Sequence, residues 1–342
     1  MKVLFASSTQ RSLKSPKHGA ERQLSGQARA VNQLDEDVEV AVDNIKWNAP
    51  DPSEFDLIHM VNSNGANGAH QALARHAQEQ DVPVVSTPTF WPPDEISEND
   101  EQQDMIDLHM QTLFPWLQMS THLTPNSNME ADKLKDKLGA FDYTVVENAV
   151  DLNEIEGIET NEKDAPDEWG EYVLSVGRLE PRKNQWRLLY AMQGLWQEGI
   201  DAKLVLLGKA NRKYLQKISS ELERYQDNII IDPQIKNPAT VMNAAKHARV
   251  LAMPSILETP GLVALEAGAL GTSLAITKKG STQEYFNGYA NYCDPFRVDS
   301  IAEALEQAWE QDGNECSEYI KENYNYKNAG KKLLSLYKSL LS

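Results

Sequence analysis

Cysteine is nearly missing from this 342-residue chain, which has only Cys293 and Cys316. No C-x-x-C pair exists, so a structural zinc site of the usual ligand spacing is excluded. A chain this long with two cysteines is not a disulfide-built scaffold, and free thiols in a reducing compartment are the expectation. Long apolar runs are also missing. None approaches the roughly 18 residues of a membrane span. The opening M-K-V-L-F-A-S-S-T-Q-R is apolar too briefly for a signal peptide and reads as a first strand. A cytoplasmic protein is expected.

Basic residues are scarce: 33 Lys and Arg stand against 51 Asp and Glu, a formal net charge of −18. The deficit is uneven. Residues 1–160 hold 11 bases and 27 acids, a net of −16, and the remainder holds 22 and 24, a net of −2. An acidic half repels nucleic acid and anionic lipid, so no nucleic-acid partner and at most a peripheral membrane contact are expected. One segment runs against the trend, with Arg11, Lys14, Lys17 and Arg22 opposed only by Glu21. It is either a phosphate-attracting patch or a solvated loop.

What is there is alternation. Short apolar strands at residues 2–7, 38–42, 56–61, 82–87, 122–125 and 143–146 are separated by helical patterns at 20–34, 67–79, 100–119 and 129–138. An acidic stretch at 152–169, without clear period and containing Pro166, reads as a linker. The alternation then restarts, with strands at 172–176, 203–207, 229–232, 250–253 and 273–277. Helical patterns follow at 184–198, 213–225, 238–247, 260–270 and 300–310, and an apolar-faced helix closes the chain at 329–341. Strands interleaved with helices predict parallel sheets, here in two α/β halves. In open sheets of this kind ligands bind beyond the carboxyl ends of the strands, so chemistry is sought in the loops that follow them.

Three such loops stand out. Val176-Gly177-Arg178-Leu179-Glu180-Pro181-Arg182-Lys183-Asn184 follows the first strand of the second half. Gly177 permits a sharp exit, and Arg178 and Lys183 are two cations suited to a diphosphate, or else a solvent-facing basic loop. Pro254-Ser255-Ile256-Leu257-Glu258-Thr259-Pro260-Gly261-Leu262 leads into a helix expected to have Thr259 as N-cap and Pro260 as its first residue, with Gly271 ending it. Gly261 and Leu262 leave amides open at the positive helix end, and Glu258 and Glu266 flank it with acceptors for hydroxyls. With so many acids, such a pair arises by chance elsewhere; its position at a strand-to-helix junction is what matters. Pro16-Lys17-His18-Gly19-Ala20-Glu21-Arg22 follows the first strand of all, with Gly19 at a helix start. It lacks the G-x-G-x-x-G of dinucleotide folds.

Together these motifs resemble the retaining glycosyltransferases of family 4, the group 1 glycosyltransferases. G-R-L followed by Lys183-Asn184 looks like that family's diphosphate motif, and Glu258 and Glu266 match its E-x7-E element. Gly280-Ser281-Thr282-Gln283-Glu284 is similar to a loop that follows in many members. Val145-Val146-Glu147-Asn148-Ala149-Val150-Asp151 resembles the P-N-G-V-D segment, with Ala149 in place of glycine. The resemblance implies the GT-B fold: two Rossmann-like domains, residues 1–155 with 325–342 and residues 156–324, with parallel sheets facing an interdomain cleft and a final helix crossing back to the N-terminal domain.

It also implies a donor site. Arg178 and Lys183 would neutralise the leaving diphosphate, Glu258 would contact the transferred sugar, and Glu266 would hold the ribose. Gly19, Gly177, Pro260, Gly261 and Leu262 would line the phosphates. The reaction implied is transfer, with retention, from a nucleoside-diphosphate sugar, of UDP or GDP, to a hydroxyl of a glycan, a lipid-linked or a small-molecule acceptor. No tightly bound cofactor and no metal are implied. Many members carry a histidine in the loop after the strand at 82–87, and this chain has none there. Thr89, Phe90 and Trp91, with His59 on another strand, are the candidates for an acceptor or sugar pocket instead. Two other readings stay open: a sugar-nucleotide epimerase or phosphorylase of the same fold, and a non-catalytic nucleotide-sugar binding protein.

Overall fold

The computed structural model describes residues 1–8, 19–46, 48–61, 67–90, 112–159, 169–233 and 237–342. The chain divides into two compact units. One comprises Met1–Ala149 and Tyr324–Ser342, the other Val150–Asn323.

The first unit is built on β1 (Lys2–Ser7), β2 (Glu39–Asn44), β3 (Leu57–Val61), β4 (Val84–Thr87) and β5 (His122–Leu123). They form one parallel sheet in the order β2-β1-β3-β4-β5. Period-two alternation sends successive residues of β1 into two cores. Val3 and Phe5 pack with Leu24, Ala28 and Val31 of the Gly19–Leu34 helix, while Leu4 and Ala6 pack with Leu73, Ala74 and Ala77 of the Asn67–Glu79 helix. Both faces are therefore covered, as parallel sheets require.

The last helix, Tyr326–Leu340, joins the first of these cores through Leu333, Leu336 and Tyr337. Glycine lets the helices approach there. A Cβ on Gly330 would lie 2.9 Å from that of Ala30.

The second unit is built on β6 (Tyr172–Val176), β7 (Lys203–Leu207), β8 (Ile229–Asp232), β9 (Val250–Met253), β10 (Ser273–Thr277) and β11 (Asn291–Cys293). All pairs are parallel, in the order β11-β10-β9-β6-β7-β8. The chain winds from β6 to β8 on one side and from β9 to β11 on the other. The order reverses between β6 and β9, and beyond the carboxyl ends of those two strands such sheets hold their ligands.

Two expectations are corrected. Residues 143–146 form no regular strand: Tyr143 makes a single bridge with Leu123, the amides of Thr144 and Val146 donate to the carbonyls of Leu123 and Pro125, and Val146 packs into the core. The expected linker begins as a helix, Leu152–Glu159, which buries Ile155 and Ile158. Lys246 donates to the carbonyls of Ile158 and Glu159 at 3.0 Å each and so satisfies the open C-terminal end of that helix. Residues 160–168 lie outside the described residues. So do 100–111 of the helix expected at 100–119, of which 112–117 is helical. Missed in the sequence were β11, the short Thr282–Phe286 helix and the Asn314–Asn323 helix.

Candidate functional site

Gly177 leaves β6 with φ +145°, a conformation open to glycine. The side chain of Lys183 lies across it, Cε being 3.4 Å from where a Cβ would stand. The short 3-10 turn Pro181–Lys183 starts on proline and ends at Asn184, which takes the left-handed conformation at φ +61°. Asn184 is wholly buried. Its side-chain amide donates to the carbonyls of Pro254 (2.9 Å) and Pro295 (2.7 Å), so one residue ties the β6 exit to the β9 and β11 exits. The amide of Ile256 donates to the carbonyl of Arg182 at 2.9 Å and closes the first two loops together.

This stitching brings Lys183 onto the carboxylate of Glu258, in an ion pair where the Glu258 side chain is 5% exposed and that of Lys183 18%. The Glu258 backbone is fixed in turn. Its carbonyl accepts from the amide of Ser281 at 3.0 Å, beside Gly280. A Cβ on Gly280 would lie 2.0 Å from that carbonyl oxygen. The other carboxylate oxygen lies 3.5 Å from the Cβ position of Gly261. The acid thus stands at the head of the Leu262–Ala269 helix.

Gly261 is the capping residue of that helix at φ +89°, ψ +94°. This corrects the expectation of Thr259 as N-cap and Pro260 as first helical residue. A residue with positive φ immediately before Leu262 breaks the helix off from Pro260. Glu266 is half-buried on the second turn. Burial pushes the Glu258 carboxyl up, but the charges of Lys183 and Arg182 outweigh it and hold the group below its ordinary value. Glu258 is therefore a fixed, ionised acceptor. Arg178 is exposed on the same loop and paired with Glu180 at 3.2 Å.

The structure thus assembles Gly177, Lys183, Glu258 and Gly261, and leaves Arg178 directed at Glu180. Sequence reading gave no role to Asn184 or Arg182. Their signal was present in the motif, but only as neighbours of the cations it singled out.

In the first unit two candidates move inward. His59 is wholly enclosed: Nδ1 meets the Tyr337 hydroxyl at 2.5 Å and Nε2 the Thr87 hydroxyl at 2.8 Å. Burial pushes its pKa down to about 3, so the ring is neutral. Phe90 is a core residue, 1% exposed and 5.8 Å from the ring of Phe114. Neither offers a surface to a substrate, which corrects their place among the pocket candidates. Thr89 is half-buried at φ +47°. Gly19 is the first residue of its helix. Trp91, and the basic residues Arg11, Lys14 and Lys17, lie outside the described residues. Among the described residues there is no grouping of three or more His, Cys, Asp or Glu arranged to hold a metal ion, and no helix long and apolar enough to cross a membrane.

The fold is shared along the whole chain with solved structures. Sucrose-phosphate synthase from Thermosynechococcus elongatus superposes with a TM-score of 0.78 at 16% identity, over 99% of both chains. A trehalose-6-phosphate protein from E. coli bound with UDP-2-fluoro glucose gives 0.72 at 13% identity over 99% of each. HepE of Anabaena in complex with UDP gives 0.69 at 16% identity, over 99% of this chain and all of that one. Two parallel α/β units with these neighbours define a protein of the GT-B architecture.

The family model of "Glycosyl transferases group 1" matches residues 158–326. That match falls almost wholly on the second unit and covers just under half of the chain. Among curated proteins it is 29% identical over 175 residues to an uncharacterized glycosyltransferase of Methanocaldococcus jannaschii, covering 48% of this chain and 44% of that protein. It is 31% identical over 183 residues to the D-inositol 3-phosphate glycosyltransferase of Corynebacterium urealyticum, covering 48% and 42%. It is 29% identical over 135 residues to a GDP-mannose-dependent alpha-(1-6)-phosphatidylinositol dimannoside mannosyltransferase of Mycobacterium tuberculosis, covering 39% and 34%. The chain spans less than half the length of each curated relative.

Proposed function

We propose that this chain transfers a sugar, with retention, from a nucleoside-diphosphate sugar of UDP or GDP to a hydroxyl acceptor. One observation carries the reading. At the β6/β9 reversal of strand order, a buried Lys183–Glu258 pair stands at the open head of the Leu262–Ala269 helix.

In this reading the ammonium of Lys183 has three donors, so it holds Glu258 and still reaches a phosphate oxygen. Arg178, exposed on the same loop, turns from Glu180 to the diphosphate. The amides at Gly261 and Leu262 face the phosphates with the positive end of the helix behind them. These groups neutralise charge as the nucleotide leaves, which is where catalysis by fixed dipoles is worth most. Glu258, kept ionised, accepts from the hydroxyls of the transferred sugar, and Glu266 from those of the ribose. On the first unit, Gly19 is the candidate for a phosphate contact and Thr89 for an acceptor contact. Fixed cations and the helix end do this work without a metal. The buried, unbonded Cys293 and Cys316 fit a cytoplasmic setting.

Isothermal titration with UDP and GDP tests the reading. One of the two should bind the wild type, and Arg178→Ala with Lys183→Ala should abolish that binding. Equal binding by the double variant would refute it. Turnover of the matching sugar nucleotide separates transfer from binding alone.

A further inference from the structure

The Asn128–Leu138 helix opens on Ser127-Asn128-Met129-Glu130, the S-x-x-E signature of a capping box. In such a box the serine accepts from the third-residue amide and the glutamate reaches back to the serine's own amide. Here only the first half is made: Ser127 Oγ accepts from the amide of Glu130 at 3.1 Å. The carboxylate goes elsewhere. One oxygen accepts from the amide of Asn126 at 2.6 Å, and the other accepts from the amide of Phe90. Phe90 is 40 residues away, on the exit of the neighbouring strand. Glu130 is 1% exposed. Immediately before Phe90, Thr89 sits at φ +47°, a conformation unfavourable for a β-branched residue, which persists only where its surroundings hold it.

We propose that Glu130 is a positioning residue: its carboxylate clamps the β4 and β5 exits together, holds the left-handed turn at Thr89, and thereby sets the place of Thr89, the acceptor-side candidate. The acceptor side rests on the function proposed above; the clamp does not. Both loops leave the carboxyl edge of the sheet, the edge where such folds bind ligands. A single ionised carboxylate can accept from both amides. Once protonated, one oxygen carries a hydrogen that opposes an N–H donor, and one of the two bonds is lost.

Burial pushes the Glu130 carboxyl up to about 7, against the pull of the Phe90 and Asn126 amides. No ionisable side chain occurs in residues 88–90 or 124–127, and Asp132, Lys133, Lys135, Asp136 and Lys137 of its own helix have no part in the shift. The clamp is therefore closed above neutrality and half-released below it.

The test is amide hydrogen exchange at Phe90 and Asn126 in the full chain between pH 5.5 and 8.5, corrected for intrinsic rates, in the wild type and in Glu130→Gln. Glutamine keeps one acceptor and puts an NH2 against the other donor. The wild type should lose protection at one of the two amides as pH falls through about 7, because the protonated oxygen no longer accepts. Glu130→Gln should be less protected by about tenfold at one amide, at every pH, because a hydrogen bond to a charged group is gone. Protection at both amides that does not change with pH in the wild type, or the same pH dependence in Glu130→Gln, overturns the clamp.

UDP and GDP titration on the same samples keeps the two readings apart. Unchanged nucleotide affinity in Glu130→Gln, with a kcat/KM for sugar transfer that no longer follows the wild-type pH profile, supports a role on the acceptor side. A wild-type kcat/KM that is the same in Glu130→Gln at every pH overturns that role. A wild type that binds neither nucleotide refutes the proposed function alone, and pH-dependent loss of protection at one amide still supports the clamp.

Discussion

Replacing Lys183 by Met keeps the length of the stem and removes the charge that Glu258 faces. Glu258 is 4% exposed, so its carboxylate is left in the protein interior with Arg182 as its remaining cation. Breaking a buried pair from one side costs about 3–5 kcal/mol, because the remaining ion keeps its desolvation penalty without its partner. The Lys183 side chain is 18% exposed, so water reaches that end and the lower figure applies. For a unit of this size about 3 kcal/mol lowers Tm by roughly 6–12 °C. The cost also has a pH signature. In the wild type the folded Glu258 carboxyl lies below its unfolded value, so the pair contributes above the unfolded value and its contribution fades as pH falls through the folded one. In Lys183→Met burial gains weight, the carboxyl moves up, and the variant recovers by protonating. The Tm gap between wild type and variant should therefore widen from pH 4 to pH 7.5. Scanning calorimetry over that range measures it. Lys183→Met with Glu258→Gln, which removes the orphaned charge, should be more stable than Lys183→Met alone. A gap that stays flat with pH, together with a double variant no better than the single one, would refute the reasoning.

Gly280 and Gly288 share φ +87°, but a Cβ at Gly280 meets the Glu258 carbonyl at 2.0 Å and one at Gly288 meets nothing within 4 Å. Gly288→Ala should cost about 1–2 kcal/mol in chemical denaturation, the strain of the left-handed conformation alone, and Gly280→Ala clearly more, with weaker nucleotide binding. Asn184→Ala should cost about 2–4 kcal/mol, since two buried carbonyls lose their donors; Asn184→Gly relieves the φ but not the lost bonds, and should fall between alanine and wild type. Burial pushes Cys293 and Cys316 each up to about 12, so neither should react with a disulfide reagent at pH 8 until denaturant opens the unit. Prompt reaction of either thiol in the native protein would contradict the packing around it.

The strands of both units were legible because parallel strands are apolar on both faces. Residues 172–176, 203–207 and 250–253 stand out as short, mainly apolar runs, and the sheet uses them at those bounds. Where a segment's fate depends on its neighbours, the reading failed. Residues 143–146 have a strand's composition, but only Tyr143 finds a bridge; Thr144 and Val146 contribute single amide bonds to Leu123 and Pro125. The Leu152–Glu159 helix has only two buried apolar residues and depends on Lys246, some ninety positions on, to complete its end. His59 and Phe90 stood out as chemistry-bearing side chains near strand ends. Their burial is decided by Tyr337 and Phe114, which no local pattern connects to them.

The same division runs through the site. Motif spacing brings Gly177 to Lys183 and Glu258 to Gly261 within single loops. The reversal of strand order then sets β6 beside β9 and turns a separation of 75 residues into an ion pair. Glu130 behaves alike. Its local signature promises a bond to the amide of Ser127, and the fold gives the carboxylate to Asn126 and Phe90 instead. A carboxylate has more acceptor sites than a helix end consumes. When the next strand exit arrives with an unpaired N–H, burying both together satisfies two donors with one charge. An isolated peptide spanning residues 120–140 should therefore revert to the ordinary box, with the glutamate on the amide of Ser127. An NMR structure of that peptide with the carboxylate already turned away from Ser127 would show that the diversion is local and owes nothing to Phe90.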